Sequence, residues 1–497
     1  MVLQNYLLFV FILLIFLIPA RAFSQAGLLD ASFGDNGMVI PDFSNYALAK
    51  AVAIQSDGKI IAGGETGGSG FKDIVLVRLN EDGQLDSGFG NNGIVTTNLG
   101  FDEELSSVVL DSDGKIVTAG TSYNPSGNIF LARFDTNGAP DSSFATNGFL
   151  LLDFGGFEEV HELIIQNDGK LVIAGSFSAD ITLARFINNG QLDSSFGTDG
   201  IVTNDFSGYG DYCFSAAMQP DGKIVVGGEA DADFLIARYN ANGTLDNSFS
   251  IDGYLTFSIQ NNCYGGYICL QDDGKILHTG ATGGGGSIDG DLVVARFKTD
   301  GAPDPTFGTD GIITTVISDW AIGTSILQQP DQKIIVAGTT QPSVGSSNIL
   351  VIRYLENGTL DSSFNDSGIV ITNTGANDDI RDCTLQSDGK LVGVGRSDGG
   401  NFIILRYLTD IGVNTSAPAL HSFTIYPNPA SVKLFIHSCS IGDRISIVDL
   451  HGRVRKKVTS GSDSTLELDI SDLANGIYFV VLNSSKELQK EKIVIAH

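Results

Sequence analysis

The sequence predicts an all-β protein: a seven-bladed β-propeller followed by a small C-terminal β-sandwich. One block recurs seven times between Leu29 and Leu408, reading [L/P]-D-x-x-F, then D-G-K, then an apolar run that ends in arginine. The runs beside the Asp-Gly pair are rich in β-branched residues, and the period of 52 to 58 residues is typical of repeated supersecondary units. The lysine of the block lies at Lys59, Lys115, Lys170, Lys223, Lys275, Lys333 and Lys390.

Each unit is predicted to hold four short strands. In the first unit these are residues 37–40, 51–55, 59–63 and 73–79. The pair Asp57-Gly58 separates the second strand from the third and predicts a two-residue hairpin turn, because such a turn needs the positive φ that glycine adopts without strain. Every other unit has the same pair except the sixth, which has Asp331-Gln332.

A repeated arginine closes each apolar run, and an aspartate follows the first six of them eight residues later. The seventh arginine has no such partner downstream and the first aspartate has no arginine upstream, so a closed ring would complete the set. Such pairs in every unit indicate a bond that staples blades together rather than seven copies of a catalytic device. The pairs are Arg78 with Asp86, Arg133 with Asp141, Arg185 with Asp193, Arg238 with Asp246, Arg296 with Asp304, Arg353 with Asp361, and Arg406 with Asp30.

The block also repeats a phenylalanine. Aromatic side chains bury a large area, so we expect these rings to fill the gaps between blades. They are Phe33, Phe89, Phe144, Phe196, Phe249, Phe307 and Phe364.

The N-terminal segment predicts export. Residues 6–20 form an apolar run that is short for a membrane span and is followed by small residues suited to signal peptidase, so residues 1–26 are predicted to be a secretory signal peptide. The segment before the run lacks Lys and Arg, which leaves an uncleaved N-terminal anchor as the alternative. We expect no membrane span after signal removal. The other predicted boundaries are 27–410 for the propeller, 411–421 for a linker and 422–497 for the C-terminal domain.

Composition excludes one class of partner. The chain has 58 acidic against 29 basic residues, and from Ser416 onward the two signs nearly balance, so the repeat region carries the excess negative charge. An acidic body argues against nucleic acid, whose phosphates need cationic partners. The five cysteines have no metal-ligand or redox spacing, and we expect buried free thiols.

The repeat region shows no catalytic motif. Its two histidines, His161 and His278, lie at different points of their units and beside no set of metal ligands, so each is interpreted as a surface or a satisfied buried side chain. Neither a G-x-S-x-G elbow nor an H-E-x-x-H motif is present. No cofactor is predicted. Asp and Asn beside Gly are ordinary turn residues, with calcium binding by their oxygens left as the alternative.

Four tyrosines form the candidate ligand patch. The chain has one tryptophan, Trp320, which is poor provision for stacking sugars. Tyrosines just ahead of or within the second strands of units four and five provide a partial substitute. They are Tyr209, Tyr212, Tyr264 and Tyr267.

The repeat block, as in LDSSFG, QSDGK and LARY, resembles the bacterial delta-60 repeat over about residues 28–408. That family is associated with a β-propeller fold and brings no catalytic residues. The resemblance therefore implies a shape and leaves the ligand open.

The C-terminal segment resembles the type A sorting domain of the type IX secretion system. Four pieces fit in order: 423–430, 445–453, 468–480 and 492–495. The resemblance implies recognition by the type IX machinery, export through the periplasm to the outer cell surface or the medium, and a source among the Bacteroidetes. The residues that carry the motif are Tyr426, Pro427, Asn428, Pro429, Asn475 and Gly476.

Two functions remain open from the sequence. The first is a secreted or cell-surface binding or scaffold module for a polysaccharide or a protein partner, since no unit is marked by catalytic chemistry. The second is an extracellular carbohydrate-active enzyme, a hydrolase or lyase, with acidic residues at the propeller mouth as general acid and base. A unit-specific cluster of carboxylates with aromatic residues around the channel would favour the enzyme.

Overall fold

The described part of the chain divides into two compact units, 1–413 and 414–497. The computed structural model describes residues 26–410 without 68–70, 124–126, 260–261, 284–289, 318–319 and 343–344, and the segments 424–426, 430–439, 444–449, 454–460, 464–473, 476–483 and 488–495. Within those residues all regular elements are strands. The predicted signal peptide (apart from Ala26) and the predicted linker lie outside the described residues.

The described residues of the first unit form 28 strands. They are β1 (Met38–Val39), β2 (Tyr46–Ile54), β3 (Ile60–Gly67), β4 (Lys72–Leu79), β5 (Ile94–Thr97), β6 (Glu103–Leu110), β7 (Ile116–Ser122), β8 (Asn128–Phe134), β9 (Phe149–Leu152), β10 (Glu158–Ile165), β11 (Leu171–Phe177), β12 (Asp180–Phe186), β13 (Ile201–Asn204), β14 (Asp211–Met218), β15 (Ile224–Ala230), β16 (Asp233–Tyr239), β17 (Tyr254–Phe257), β18 (Cys263–Leu270), β19 (Ile276–Thr282), β20 (Leu292–Phe297), β21 (Ile312–Thr315), β22 (Trp320–Gln328), β23 (Ile334–Gln341), β24 (Asn348–Tyr354), β25 (Ile369–Thr372), β26 (Asp379–Leu385), β27 (Leu391–Ser397) and β28 (Asn401–Tyr407).

These strands form repeated four-stranded antiparallel sheets. Six sheets take four consecutive strands each, from β2–β5 to β22–β25. The remaining sheet has the order β1-β28-β27-β26, so its fourth strand comes from the other end of the repeat region. In it Met38 is opposite Leu405 and Val39 is opposite Ile404. The two ends of the region are thus joined by main-chain pairing.

Neighbouring sheets share their cores. The second and third strands of the sheets are almost entirely buried. Each apolar cluster joins two sheets. One cluster, for example, contains Val75 of the sheet β2–β5 together with Val392 and Ile404 of the sheet β1-β28-β27-β26. Equivalent clusters join every other pair of successive sheets among the described residues, so the packing forms a cycle. This is a β-propeller arrangement.

The turn between the first two strands of a unit differs from the prediction. Ile54 pairs with Ile60, the Gln55 amide donates to the Lys59 carbonyl at 2.8 Å, and Gly58 follows a turn with φ of 84°. The loop therefore has three residues rather than two, with glycine in the left-handed position that commonly completes such loops. Gln332 takes the same position in the sixth unit with φ of 68°.

The second unit is formed by strands alone in its described segments. Its strands are β29 (Thr424–Tyr426), β30 (Lys433–Cys439), β31 (Arg444–Asp449), β32 (Val454–Thr459), β33 (Ser464–Asp469), β34 (Gly476–Asn483) and β35 (Leu488–Ile495). They form one sheet of order β29-β30-β33 and another of order β32-β31-β34-β35. Leu434 and Ile436 of the first sheet share a buried cluster with Ile447, Val480 and Ile493 of the second. The two sheets thus enclose one apolar core.

Candidate functional site

The predicted arginine–aspartate pairs lie at the end of the sheets that carries the Asp-Gly turns. Each arginine stands near the end of the third strand of its sheet and donates from Nε to Oδ2 of its aspartate. The distances are 2.8 Å for Arg78–Asp86, 2.8 Å for Arg133–Asp141, 2.9 Å for Arg185–Asp193, 2.7 Å for Arg238–Asp246, 2.8 Å for Arg296–Asp304, 2.8 Å for Arg353–Asp361 and 2.9 Å for Arg406–Asp30.

Sequence reasoning missed the role of the repeat lysine. In every unit its ammonium lies close to the same aspartate oxygen, for example Lys170 to Asp193 at 3.1 Å and Lys390 to Asp30 at 3.4 Å. The other aspartate oxygen accepts bonds from the residue two positions later; Ser32 donates to Asp30 at 2.6 Å from Oγ. The aspartate is therefore saturated with donors. Burial alone would raise its pKa, but these bonds and charges hold the pKa of Asp30 at about 2.

The same arginines connect one sheet to the next. Each guanidinium lies over the repeated phenylalanine, 4.6 Å from the ring centroid for Arg185 and Phe196, and all seven rings are fully buried. From Nη1 each arginine also donates to a main-chain carbonyl of the following sheet. These bonds run from Arg78 to Thr136, Arg133 to Asn188, Arg185 to Ala241, Arg238 to Thr299, Arg296 to Glu356, Arg353 to Thr409 and Arg406 to Glu81, which returns to the first sheet.

A second set of positions lines a central cavity of about 500 Å³. Seven strands contribute to its wall, one from each sheet of the first unit, and each carries an irregularity in register there: β2, β6, β10, β14, β18, β22 and β26. A bulge re-aims side chains and is frequent at binding sites. The bulge position lies nine residues before the repeat lysine and holds Lys50, Ser106, His161, Phe214, Gly266, Thr324 and Arg381.

Glu162 and Asp382 each follow a bulge position by one residue, and their carboxyl groups face this cavity. Ser107 Oγ donates to Glu162 Oε1 at 2.8 Å, and burial raises the pKa of Glu162 to about 7. Asp382 accepts the amide of Val52 at 3.0 Å and the amide of Cys383 at 2.7 Å, yet burial still raises its pKa to about 6. Both groups therefore exchange protons near neutral pH, as general acids and bases do.

Aromatic side chains cover one side of the cavity. The ring of Phe214 lies 5.8 Å from Tyr267 and 6.1 Å from Tyr264. Of the predicted ligand patch, the structure thus places Tyr264 and Tyr267 in the cavity wall. Tyr209 and Tyr212 are exposed, at 71% and 41%, and lie outside that wall.

One of the two histidines, His278, differs from its interpretation. His161 lies in the cavity wall, where burial lowers its pKa to about 4 and keeps the ring neutral. His278 is fully buried, edge-on to Phe234 and Phe257, and neither ring nitrogen finds a hydrogen-bond partner among the described residues. It is therefore a buried but unsatisfied histidine, and burial lowers its pKa to about 3.

Possible cation ligands lie elsewhere. The carboxyl groups of Asp180, Asp205 and Asp211 come within 4.8 Å of one another. Asp211 already accepts hydrogen bonds from Phe206 and Ser207. Asp205 is exposed, Asp180 is half-buried and Asp211 is fully buried, and the described residues give no further sign of a metal at this cluster.

Only part of the predicted sorting motif is described. Tyr426 ends β29 and Gly476 begins β34. Pro427, Asn428, Pro429 and Asn475 lie outside the described residues.

Family models match both the repeat region and the C-terminal segment of the chain. Residues 424–496 match the secretion system C-terminal sorting domain, which confirms the sorting domain predicted from the sequence. Six segments match a β-propeller domain of unknown function, DUF5122, while the name delta-60 stays a prediction. These segments are 55–89, 112–144, 166–196, 219–249, 271–307 and 329–364. No curated protein matches the sequence.

Solved structures show distant likenesses. PorZ of Porphyromonas gingivalis, described as an essential bacterial surface component of the type-IX secretion system, is 11% identical, with 90% of this chain and 81% of that chain covered and a TM-score of 0.26. The polysaccharide lyase Uly1 is 13% identical, with 79% and 94% covered and a TM-score of 0.45. A protein of unknown function from Dyadobacter fermentans is 12% identical, with 74% and 97% covered and a TM-score of 0.40. TM-scores this low do not bear on what the chain binds.

The sorting domain implies export to the cell surface or the extracellular space, which confirms the predicted localisation. Within the described residues, no helix is long and apolar enough to cross a membrane. The chain is an exported all-β protein that combines β-propeller repeats with a C-terminal secretion sorting domain.

Proposed function

We propose that this exported protein is a polysaccharide-binding module whose ligand enters the central cavity of a closed seven-bladed β-propeller. The seven four-stranded sheets of the described first unit are its blades, and β1 closes the ring on β28. The arginine–aspartate–lysine clusters are structural staples. Their polar groups already bond one another, which leaves little to offer a ligand.

The observation that carries this proposal is the contrast between repeated and unrepeated positions. The staples are the same in all units, whereas six of the bulge positions line the cavity and hold lysine, serine, histidine, phenylalanine, threonine and arginine. If these positions had only a structural role, they would not need different residues in different blades. A ligand without sevenfold symmetry requires different residues, because each blade then contacts a different part of it.

The cavity favours a sugar over other ligands. Phe214, Tyr264 and Tyr267 offer ring faces, and nearby Ser107, Ser215 and Ser325 offer hydroxyl groups. Aromatic faces with a few placed polar groups are the usual composition of a site for a partly apolar, hydroxyl-rich ligand. A segment of a surface protein is the alternative occupant, and the binding screen below distinguishes the two.

Catalysis is the second candidate, favoured by one observation. Glu162 and Asp382 are carboxyl groups on different blades that face one cavity, and their pKa values of about 7 and about 6 suit proton transfer near neutrality. A glycosidase or lyase built on them would shorten the bound chain. A binding module would release it intact.

The trafficking part of the proposal follows the predicted boundaries. Residues 1–26 direct the chain to the periplasm, 27–410 form the propeller, 411–421 link it to the tail, and 422–497 form a β-sandwich recognised by the type IX secretion machinery. The sorting-domain match at 424–496 supports the last of these roles. After export, the propeller is either released or attached to the surface of a Bacteroidetes cell.

The test is a retention screen of the full-length protein on polysaccharide columns and glycan arrays, with calcium and with chelator, followed by mass spectrometry of the sugars. Intact retained sugars support the binding module, and shortened products support the enzyme. The variant Tyr264→Ala is expected to lose about tenfold in affinity, while Tyr209→Ala, outside the cavity, is expected to bind normally. Retention of no glycan, or equal loss in both variants, would contradict the proposal.

A further inference from the structure

One side of the cavity carries two cationic groups on adjacent sheets. Lys50 occupies the bulge of β2 and Arg381 the bulge of β26, and both face the cavity. The Lys50 ammonium makes no hydrogen bond or ion pair with any residue in the described part of the chain. Burial raises the pKa of Glu65 and the charge of Lys50 opposes that rise, while Lys72 makes the direct ion pair with Glu65 at 3.1 Å. The Lys50 ammonium is thus directed into the cavity with no carboxylate of the described residues in direct contact with it.

Arg381 is held in place by hydrogen bonds, but not all of its nitrogen atoms are engaged in them. Its Nε and Nη2 donate to the two oxygens of Asp379, at 3.1 Å and 3.2 Å, while Nη1 has no acceptor among the described residues. Arg396 donates to the same Asp379 at 2.5 Å, so this carboxylate serves two arginines. A guanidinium fixed along one edge presents its remaining donors in a defined direction.

A free acceptor lies on the other side of the same cavity. Both hydrogen bonds to Glu162, from Ser107 and from the Leu163 amide, end on Oε1, which leaves Oε2 open to the cavity. Glu162 and Lys50 do not form an ion pair, although both line this one space. The aromatic side chains Phe214, Tyr264 and Tyr267 complete the wall.

Together these groups specify three features of a ligand: a carboxylate for Lys50 and Arg381, a hydroxyl donor for Glu162, and a ring face for the aromatic side. A pyranose uronic acid has all three, whereas a neutral sugar leaves the Lys50 ammonium without a partner. Resting on the proposed function, we propose that the cavity recognises acidic polysaccharide chains through a uronate carboxylate bound by Lys50 and Arg381.

The test compares matched acidic and neutral ligands on the full-length protein. The probes are short oligomers of galacturonate, glucuronate and mannuronate and the methyl esters of each, which keep the sugar but remove the charge. Calorimetry is expected to show at least tenfold tighter binding of one acid over its ester, with a preference that shrinks as salt rises. Lys50→Met keeps the side-chain length, and it is expected to remove that preference by weakening the binding of the acid at least tenfold.

Lys298→Met is the matched control, because Lys298 is an exposed lysine in the turn after β20 and outside the cavity wall. It is expected to bind like the unmodified protein, and thermal melting checks that both variants fold. If each ester binds as well as its acid, or if Lys50→Met keeps the preference, the uronate inference is wrong and sugar binding stands. If no carbohydrate binds at all, both proposals fail.

Discussion

Arg406 donates from Nε to Asp30 at 2.9 Å across 376 residues of chain. The contact repeats, in atom and distance, the bond that Arg185 makes with Asp193 only eight residues away. Lys390 and Ser32 surround Asp30 as Lys170 and Ser195 surround Asp193. Nearby, the Asn365 amide donates to the Ala26 carbonyl at 2.9 Å. In the six remaining units the equivalent amide donates to a carbonyl in a turn of the following unit. The two ends of the repeat region thus build one ordinary staple between them.

Asp30→Asn is expected to destabilise the protein as much as Asp193→Asn, by about 3–5 kcal/mol, because each leaves a buried arginine without its counter-ion. Arg406 is 4% exposed and Arg185 is 6% exposed. Urea unfolding of both variants measures the effect. A normal unfolding midpoint for Asp30→Asn beside a lowered one for Asp193→Asn would mean that the ring is open in solution.

Acid is expected to weaken all the staples together. The pKa of Asp30 is lowered to about 2, and the pKa values of Asp141, Asp193 and Asp246 are lowered as well. A carboxyl with a depressed folded pKa stabilises the fold above its unfolded pKa, near 4, and this stabilisation is lost as pH falls towards the folded value. Asp30 alone contributes about 2 kcal/mol by this relation. The contribution of the staples to the melting temperature should therefore be level at pH 5 to 7 and be lost steeply between about pH 4 and pH 2; a melting temperature that does not fall between pH 4 and pH 2 would contradict the ion-pair account.

Phe196→Ala is expected to lower the free energy of unfolding by about 3–5 kcal/mol, because it opens a cavity between sheets and removes the ring beneath the Arg185 guanidinium. Phe71→Ala is the control, since Phe71 is 62% exposed. Its effect should stay within about 0.5 kcal/mol. Chemical denaturation of the two variants decides the point, and equal effects would mean that the repeated phenylalanine does not join the sheets.

The staples were readable from sequence because their residues and spacing do not change from unit to unit. The unmatched Arg406 and Asp30 then pointed to each other across the chain. The spacing could not predict the third member of each staple, the repeat lysine. Lys390 and its equivalents marked only the period in the sequence, because their contact with the aspartate depends on how β27 and β28 are oriented in space.

The bulge residues of the cavity were not predicted from the sequence, because they differ from unit to unit. Lys50, Phe214 and Thr324 share one place in the repeat, nine residues before the lysine, but they share no chemistry. A bulge is set by main-chain pairing and leaves no residue signature of its own. Aligning the units on the lysine and asking which inward position varies most would have found these residues.

Removal of residues 424–497 is expected to stop export, because the secretion sorting domain occupies this segment. The contacts divide the chain into two compact units, so the repeat region should still fold and accumulate inside the cell envelope. Cell fractionation with immunoblotting gives the location, and limited proteolysis gives the folded state. Normal amounts of truncated protein in the medium or on the cell surface would contradict the sorting role.

Glu162→Gln should stabilise the protein in alkaline solution and not in acid. Burial raises the folded pKa of Glu162 to about 7, so its neutral form suits the fold below the unfolded pKa, and that stability is lost as pH rises through 7. Glutamine keeps the oxygen that accepts from Ser107 and never ionises. The variant should therefore gain about 3 kcal/mol over the unmodified protein at pH 8.5 and nothing at pH 4. Glu356→Gln, at an exposed position, should change neither value. An equal gain at both pH values would show that Glu162 is not a proton-exchanging group of the cavity.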